Sequence, residues 1–252
     1  MKALLLTTAI SIAIGAVRAG GEEESARDLV KRVIDTVPND TYVARMKLTT
    51  PGGLVREYTT SGKPLEKDLD ARYLEVTDPF SLHDTRYLFY ERTEKPDEQF
   101  TYVPALKRVI RLSEKTRREP FLGSTFYVTD MVAPALDDFT YQFVGEETVG
   151  GRKTRLVESV PKIPDREFYG KSILAIDPTD LVVLRAQLYD QKGNLFKVLT
   201  VETIEKIKGH WTPMHQRMEN VQDHTTSQLQ TVEINYGVPL SDEMFHIAYL
   251  GR

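Results

Sequence analysis

The sequence contains no cysteine, which excludes disulfides, thiolate zinc sites, iron–sulfur clusters, a cysteine nucleophile and lipid attachment at an N-terminal cysteine. It also lacks a basic surplus, because 33 Lys and Arg residues stand against 37 Asp and Glu residues. The resulting formal net charge of -4 argues against a nucleic-acid-binding protein. Beyond the first nineteen residues, no stretch is long and apolar enough to cross a bilayer.

Motifs of the common enzyme classes are missing as well. There is no G-x-S-x-G nucleophile elbow, no P-loop, no dinucleotide-binding glycine motif and no H-E-x-x-H motif. His210, His215 and His224 could bind a metal, but residues five apart on a strand point to opposite faces. Paired acids for glycoside hydrolysis stay open, since such pairs form only in space. We therefore expect no metal site and no cofactor, and we expect that the protein is not an enzyme.

The first nineteen residues have the composition of a signal peptide. Lys2 precedes an apolar run from Ala3 to Val17, and Val17-Arg18-Ala19 places small residues where signal peptidase cleaves. An uncleaved anchor is the alternative, but the run is shorter than the roughly 20 residues that a transmembrane helix needs. We therefore expect residues 1–19 to be a cleaved signal peptide and residues 20–252 to form one exported, soluble domain.

A change in hydrophobic period divides the rest of the chain. Apolar residues recur at helical spacing from Ala26 to Val37, with Ser25 as the N-cap and Pro38 as the end. From Tyr42 onward the period is two, as in half-buried strands. Further strand-like runs lie at 55–60, 71–77, 86–92, 99–103, 108–112, 141–149, 152–160, 169–176, 181–189, 195–207, 211–220 and 226–236, and a turn is expected at 61–64. Strands at this spacing, without intervening helices, predict an antiparallel meander.

One long region interrupts the strands. Residues Ser113 to Asp138 hold an apolar patch between basic and acidic residues, which predicts an insertion of loops and short helices folded over one sheet face. One helix and this insertion give little cover to a face built from about twelve strands, which predicts an apolar cavity; a filled core is the alternative. The candidate cavity residues are Tyr42, Met46, Leu48, Phe89, Tyr102, Leu184, Leu188, Met214 and Met218.

Two segments in the middle of the chain resemble a known family. Residues 102–112 read Y-V-P-A-L-K-R-V-I-R-L, and residues 120–126 read P-F-L-G-S-T-F. With further matches between Gly145 and Met218, this pattern is similar to the outer-membrane lipoprotein-sorting protein family, in its LolA-like branch. The resemblance runs from about Leu69 to Leu250, and the order of its parts makes it fairly specific.

The resemblance implies a mainly β fold with a few helices. A curved antiparallel sheet would form an open half-barrel, covered by the N-terminal helix and the loop and helix insertion. It also implies a periplasmic carrier that binds lipid or lipoprotein acyl chains in a hydrophobic cavity. Such a carrier would work toward the outer membrane with an inner-membrane transporter of the resistance–nodulation–division superfamily, with transient membrane contact. The alternatives are an envelope lipid-sensing or scaffold module of the same fold and, behind it, a cell-envelope hydrolase.

The matching segments hold two groups of candidates for handling a lipid. The lid candidates are Phe121, Leu122, Gly123 and Phe126. The candidates for contact with an anionic head group or an acidic partner are Lys107, Arg108 and Arg111. Gly123 permits backbone rearrangement, which a moving lid needs. A static plug is the alternative for the lid, and a solvated strand face is the alternative for the three charges.

Overall fold

One antiparallel sheet of thirteen strands dominates the fold. The computed structural model describes residues 24–36, 40–66, 69–92, 97–132 and 135–252, so the expected signal peptide lies outside the described residues. The strands are β1 (Tyr42–Thr49), β2 (Val55–Glu66), β3 (Leu69–Asp78), β4 (Arg86–Arg92), β5 (Glu98–Val103), β6 (Arg108–Arg111), β7 (Phe139–Val149), β8 (Arg152–Pro161), β9 (Lys171–Asp177), β10 (Val182–Tyr189), β11 (Leu195–Ile207), β12 (His210–Asn220) and β13 (Thr225–Tyr236).

The strand order is β6-β5-β4-β3-β2-β1-β13-β12-β11-β10-β9-β8-β7, so two meanders meet where β1 pairs with β13. The first meander runs outward from β1 to β6, and the second returns from β7 to β13. Since β6 and β7 are the two edges, the curved sheet stays open. The mainly β fold and the open antiparallel half-barrel are therefore confirmed.

Three α-helices accompany the sheet in the described residues: α1 (Ala26–Asp35), α2 (Glu114–Arg117) and α3 (Ile247–Leu250). Ser25 caps α1 as predicted, because its Oγ accepts a hydrogen bond from the backbone N–H of Asp28 at 3.1 Å. The helix ends at Asp35, two residues before the predicted end at Val37, which lies outside the described residues. None of the described helices is long and apolar enough to span a membrane.

The predicted turn at residues 61–64 is wrong, because β2 continues through it. Gly62 pairs with Tyr42 of β1 on one side and with Arg72 of β3 on the other. A Cβ atom on Gly62 would lie 2.1 Å from Cε1 of Tyr42. The glycine therefore serves a close approach of the tyrosine ring inside a strand, which a sequence pattern cannot distinguish from a turn.

Cross-strand pairs divide the side chains between two sheet faces. We call the face that carries Met46, Tyr58 and Met218 the inner face. The pairs Leu174–Ala186, Ala186–Leu199 and Leu199–Met218 continue it from β9 to β12. Helix α1 covers this face near β8 and β9, and the insertion covers it further along.

The opposite face carries a separate core. Leu88 and Phe100 are buried there beneath the C-terminal segment, whose Phe245 and Leu250 are fully buried. This outer cluster covers the back of β3 to β5. The inner face is therefore the face on which an inserted segment, and not a continuous layer, provides the cover.

Candidate functional site

The inner face carries an apolar cluster across β1 to β4, β12 and β13. Its buried members from the sheet are Ala44, Met46, Leu48, Tyr58, Leu74, Val76, Phe89, Met218 and Leu229, and Tyr42 and Leu188 pack against them half-buried. Six of the nine candidate cavity residues are thus brought together: Tyr42, Met46, Leu48, Phe89, Leu188 and Met218. They share this face because no extra residue interrupts the alternation of their own strands at those positions.

The other three cavity candidates lie elsewhere. Tyr102 is on the outer face, where it packs against the outer cluster, because Gln99 and Thr101 are the β5 residues that face inward. Leu184 is buried at a register shift of β10, and Met214 is half-buried at a register shift between β11 and β12. Such irregularities break the two-residue alternation from which both residues were assigned.

A segment of the insertion lies directly on the inner cluster; we call residues 119–132 the lid segment. Phe121, which is 1% exposed, meets Tyr58 edge to face with ring centroids 5.9 Å apart and tilts against Tyr87 at 5.4 Å. Phe126 is 3% exposed in the same cluster, and Leu122 packs there half-buried. The two phenylalanines therefore point at the sheet and not at solvent.

A tight turn presents these side chains. The backbone N–H of Phe121 donates to the carbonyl of Phe126 at 2.7 Å, which closes a short loop. Inside it, Leu122 and Gly123 have φ angles of +51° and +75°, in the left-handed region. Glycine adopts this region at little cost, whereas leucine does so rarely. The turn thus orients both phenylalanines toward the same sheet face.

Few polar contacts attach the lid segment to the sheet. The backbone N–H of Thr125 donates to Ser227 Oγ of β13 at 2.9 Å, and that hydroxyl donates to Thr125 Oγ1 at 3.1 Å. Arg72 of β3 donates to the carbonyl of Met131. These contacts hold the segment at its centre and near its end.

A buried ion pair makes the third attachment, and the sequence interpretation did not single it out. Lys197 of β11 is fully buried, and its Nζ lies 3.1 Å from Oδ2 of Asp130 in the lid segment. Asp130 also accepts from the Tyr169 hydroxyl at 2.6 Å and from the backbone N–H of Tyr127 at 2.8 Å. The Lys197 Nζ lies 3.2 Å from the ring centroid of Tyr127, close enough for a cation–π contact.

The surroundings of Lys197 change its acidity. Burial lowers the pKa of its ammonium from 10.5 to about 8, although the charge of Asp130 opposes this shift. The lysine is still mainly charged at neutral pH. One signal in the sequence could have found it, since Lys197 stands two residues from Leu195 and Leu199, on the apolar side of an alternating strand. A lysine there needs a buried partner.

The three basic candidates lie on the β5–β6 hairpin at the edge of the sheet. Lys107 caps a short 3₁₀ turn (Pro104–Leu106) with a φ angle of +48°, and its side chain is exposed. Arg108 is exposed as well, while Arg111 reaches Glu98 Oε1 at 2.8 Å. Arg111 pairs with Phe100 of the outer cluster, whereas Arg108 pairs with Val103, and none of the three basic residues belongs to the inner cluster.

Other parts of the described chain offer little chemistry. No group of three or more potential His, Asp or Glu ligands for a metal occurs in it. A pocket of about 220 Å³ at the far end of the sheet is lined largely by polar and charged side chains, among them Asp180, Lys206 and His210. Such a lining suits a polar ligand and not an acyl chain. The inner face under the lid segment is therefore the candidate site.

Comparison with protein families gives a direct match. The sequence model of a family described as "uncharacterized protein" matches residues 68–252, which is more than half of the chain. The chain belongs to this family. No curated protein matches it.

Solved structures show the fold of this family member. A DUF1329 family protein from Desulfovibrio piger superposes with a TM-score of 0.83 at 26% identity, covering 89% of this chain and 97% of that one. An outer membrane lipoprotein-sorting protein domain from Vibrio parahaemolyticus gives a TM-score of 0.84 at 23% identity, covering 90% and 98%. A LolA superfamily protein from Nitrosomonas europaea gives 0.69 at 18% identity, covering 90% and 100%. The LolA-like fold and the resemblance found in the sequence are thus confirmed.

Proposed function

We propose that this family member is a periplasmic carrier that binds lipid or lipoprotein acyl chains between the inner face and the lid segment. The observation that carries the proposal is the apolar sheet face roofed by a short segment whose own phenylalanines cover it. A core that served stability alone would not need its cover on a separate, sparsely attached segment. The similarity to a lipoprotein-sorting domain and to a LolA superfamily protein supports this reading.

The energetics of acyl binding favour the replacement of lid contacts by an acyl chain on the inner face. Each buried methylene contributes about 0.8 kcal/mol, so a chain of about 14 carbons contributes roughly 10 kcal/mol before ordering costs. Phe121 occupies the inner face above Tyr58 and Tyr87. An acyl chain that enters there replaces one set of apolar contacts by another. Opening the lid segment then costs mainly its polar attachments.

Carrying a lipid needs no catalyst. Its release needs a partner that promotes dissociation, because a tightly bound ligand dissociates slowly. We include in the proposal an inner-membrane transporter of the resistance–nodulation–division superfamily and an acceptor toward the outer membrane. The sequence resemblance supports the transporter, and the signal-peptide pattern supports the periplasm. The missing enzyme motifs support a protein that binds and hands on its ligand without changing it.

The complete lack of cysteine permits a sharp test of lid opening. Thr125 Oγ1 and Ser227 Oγ lie 3.1 Å apart, which places their side chains within reach of a disulfide. In the double variant Thr125→Cys and Ser227→Cys, oxidation would tie the lid segment to β13. We expect the oxidised protein to lose uptake of a fluorescent fatty acid by at least about tenfold, and the reduced protein to regain it.

The matched controls are the two single cysteine variants, which pass through the same oxidation but cannot form the bond within one chain. Non-reducing gel electrophoresis and mass spectrometry establish that the bond has formed. Native mass spectrometry of the parent from the periplasm identifies the bound lipid. If the oxidised double variant takes up the fatty acid like its reduced form, acyl chains do not enter beneath the lid segment and the proposal fails.

A further inference from the structure

Three neighbouring turns at one end of the sheet each expose a large apolar side chain. Leu54 in the β1–β2 turn is 58% exposed, Phe80 in the β3–β4 connection is 93% exposed, and Leu106 in the β5–β6 turn is 58% exposed. A phenylalanine exposed to this degree gains nothing from the fold. Three such residues on successive hairpins make a pattern, whereas one alone would be ordinary.

Strand register aligns these turns. Glu57 of β2 pairs with Asp78 of β3, so the first two turns begin at the same level of the sheet. Arg86 of β4 pairs with Tyr102 of β5, which puts the third turn within a few residues of that level. Neighbouring strands lie about 4.8 Å apart, so successive hairpins stand about 10 Å apart. The three side chains form a row, which we call the apolar edge (Leu54, Phe80 and Leu106).

Positive charge accompanies the apolar edge. Lys107 and Arg108 follow Leu106 directly, both are exposed, and neither makes an ion pair within the described part of the chain. Of the acidic residues nearby, Asp84 forms an ion pair with Arg86, in which Nη2 of Arg86 lies 3.5 Å from Oδ1 of Asp84. Asp78, two residues before Phe80, is an exposed carboxylate at this edge. The free cations next to apolar tips complement an anionic surface.

The apolar edge adjoins the lid segment. Leu82, two residues after Phe80, packs against the inner cluster beneath the lid. Ser227, which holds Thr125, lies at the same end of the sheet, because the neighbouring residue Gln228 pairs with Thr49 at the end of β1. A surface that receives the apolar edge would therefore meet the protein where the lid segment is attached.

We propose that the apolar edge docks on the surface of an anionic lipid bilayer. Single side chains on separate turns, about 10 Å apart, form no continuous patch for a shape-matched protein partner. A fluid bilayer interface accepts such isolated apolar tips, and anionic head groups attract the adjacent lysine and arginine. This docking places the lid end of the inner face against the membrane that supplies or receives an acyl chain.

Vesicle co-sedimentation with the whole protein tests the proposal. We expect the parent to bind vesicles of phosphatidylethanolamine and phosphatidylglycerol. The variant Leu54→Ser, Phe80→Ser and Leu106→Ser should bind at least about tenfold more weakly, since three apolar contacts are lost. The matched control Ile34→Ser, Val144→Ser and Ile247→Ser removes three residues that are 38%, 44% and 41% exposed elsewhere, and should bind like the parent.

A second variant separates charge from apolar insertion. Lys107→Gln with Arg108→Gln should weaken binding to the anionic vesicles several-fold, with an effect that shrinks as salt rises, and should leave binding to phosphatidylcholine vesicles unchanged. Circular dichroism and thermal unfolding confirm that each variant is folded. Fatty-acid uptake by the apolar-edge variant in the absence of vesicles should equal that of the parent, so this test is separate from that of the proposed function.

Three outcomes would overturn the proposal. The parent could fail to bind vesicles of either composition. The apolar-edge variant could bind them as tightly as the parent does. Cross-linking at the apolar edge could capture a protein while vesicle binding is absent, which would assign the edge to a protein partner instead.

Discussion

Lys197 brings a positive charge beneath the lid segment, and its neighbours determine what that charge does. Its partner Asp130 accepts hydrogen bonds from the lysine, from the Tyr169 hydroxyl and from the backbone N–H of Tyr127. Removing one member of such a pair leaves the other charge buried without a partner, whereas exposed pairs contribute little. The pair should therefore matter more for keeping the lid segment closed than for the rest of the fold.

A double-mutant cycle tests this interpretation. We expect Lys197→Met and Asp130→Asn each to lower the free energy of unfolding by about 3–5 kcal/mol, and the double variant to lose clearly less than the sum. Urea unfolding of the three variants measures the coupling. The control is Lys31→Met, because the Lys31–Asp35 pair of α1 is 53% and 57% exposed and should change stability by less than about 1 kcal/mol. Additive losses in the cycle would mean that the two charges do not act together.

The three basic candidates of the β5–β6 hairpin differ from Lys197 in one respect. Arg108 and Arg111 stand on an edge strand in contact with water, so their charges are screened and cost little to keep. A buried lysine has no such solvent, which is why its pKa falls to about 8. At the residue scale, burial and not charge count distinguishes the group that holds the lid from those that face outward.

Strand β2 shows how one small residue can serve pairing on both sides. Gly62 lies between β1 and β3, and the Tyr42 ring occupies the space that a side chain at this position would need. The tyrosine in turn packs against the inner cluster. This arrangement fixes Tyr42 at the start of β1 and couples strand pairing to the candidate site.

We expect Gly62→Ala to destabilise the protein by about 1–3 kcal/mol, because its methyl group would displace the Tyr42 ring. The same substitution in a Tyr42→Leu background should cost clearly less, since the smaller side chain leaves room. Thermal and urea unfolding of the two pairs of proteins measure the difference. Equal costs in both backgrounds would show that the ring does not limit this position.

The individual strands also explain which of the candidate cavity residues could be assigned from the two-residue alternation. Strands β1 and β4 contain no extra residue at Met46, Leu48 and Phe89, because the register shift beside Met46 comes from an extra residue in β13, and their inward positions follow the two-residue period. Strands β10 and β12 carry register shifts next to Leu184 and Met214. A bulge depends on the partner strand and on local twist, so its position is not written in the hydrophobic pattern of one strand.

The whole molecule joins three surfaces: an inner face, a lid segment across it, and an apolar edge at the same end. The C-terminal segment covers the outer face of β3 to β5, so a ligand reaches this part of the sheet from the inner side. The proposed carrier needs access from one side, because its ligand must enter and leave on the side that faces a membrane or a partner. The proposed function also requires that the protein is exported to the periplasm.

We expect the mature protein to begin at Gly20 and to be recovered from the periplasm, since Val17-Arg18-Ala19 fits a signal-peptidase site. N-terminal sequencing of the periplasmic fraction checks this. In a control, Ala19→Arg should block cleavage and leave the precursor at the membrane. An intact Met1 on most of the parent protein in the membrane fraction would contradict the expectation and indicate an anchored protein.

The amino-acid sequence by itself determined the fold class, the open meander, the capped first helix, the insertion and the LolA-like resemblance. These features depend on local periodicity, on turn residues and on short motifs, all of which can be read along the chain. The sequence also identified Phe121 and Phe126, because apolar residues in an otherwise polar insertion must find cover.

Only the tertiary structure decided which residues meet across the sheet. It put Tyr102 on the outer face, brought Lys197 under Asp130, and aligned Leu54, Phe80 and Leu106 along one edge. Each of these outcomes depends on strand register or on contacts between segments far apart in the chain. Periodicity specifies that a residue is buried, but register and packing specify what it is buried against. The candidate site and the apolar edge therefore result from register and packing.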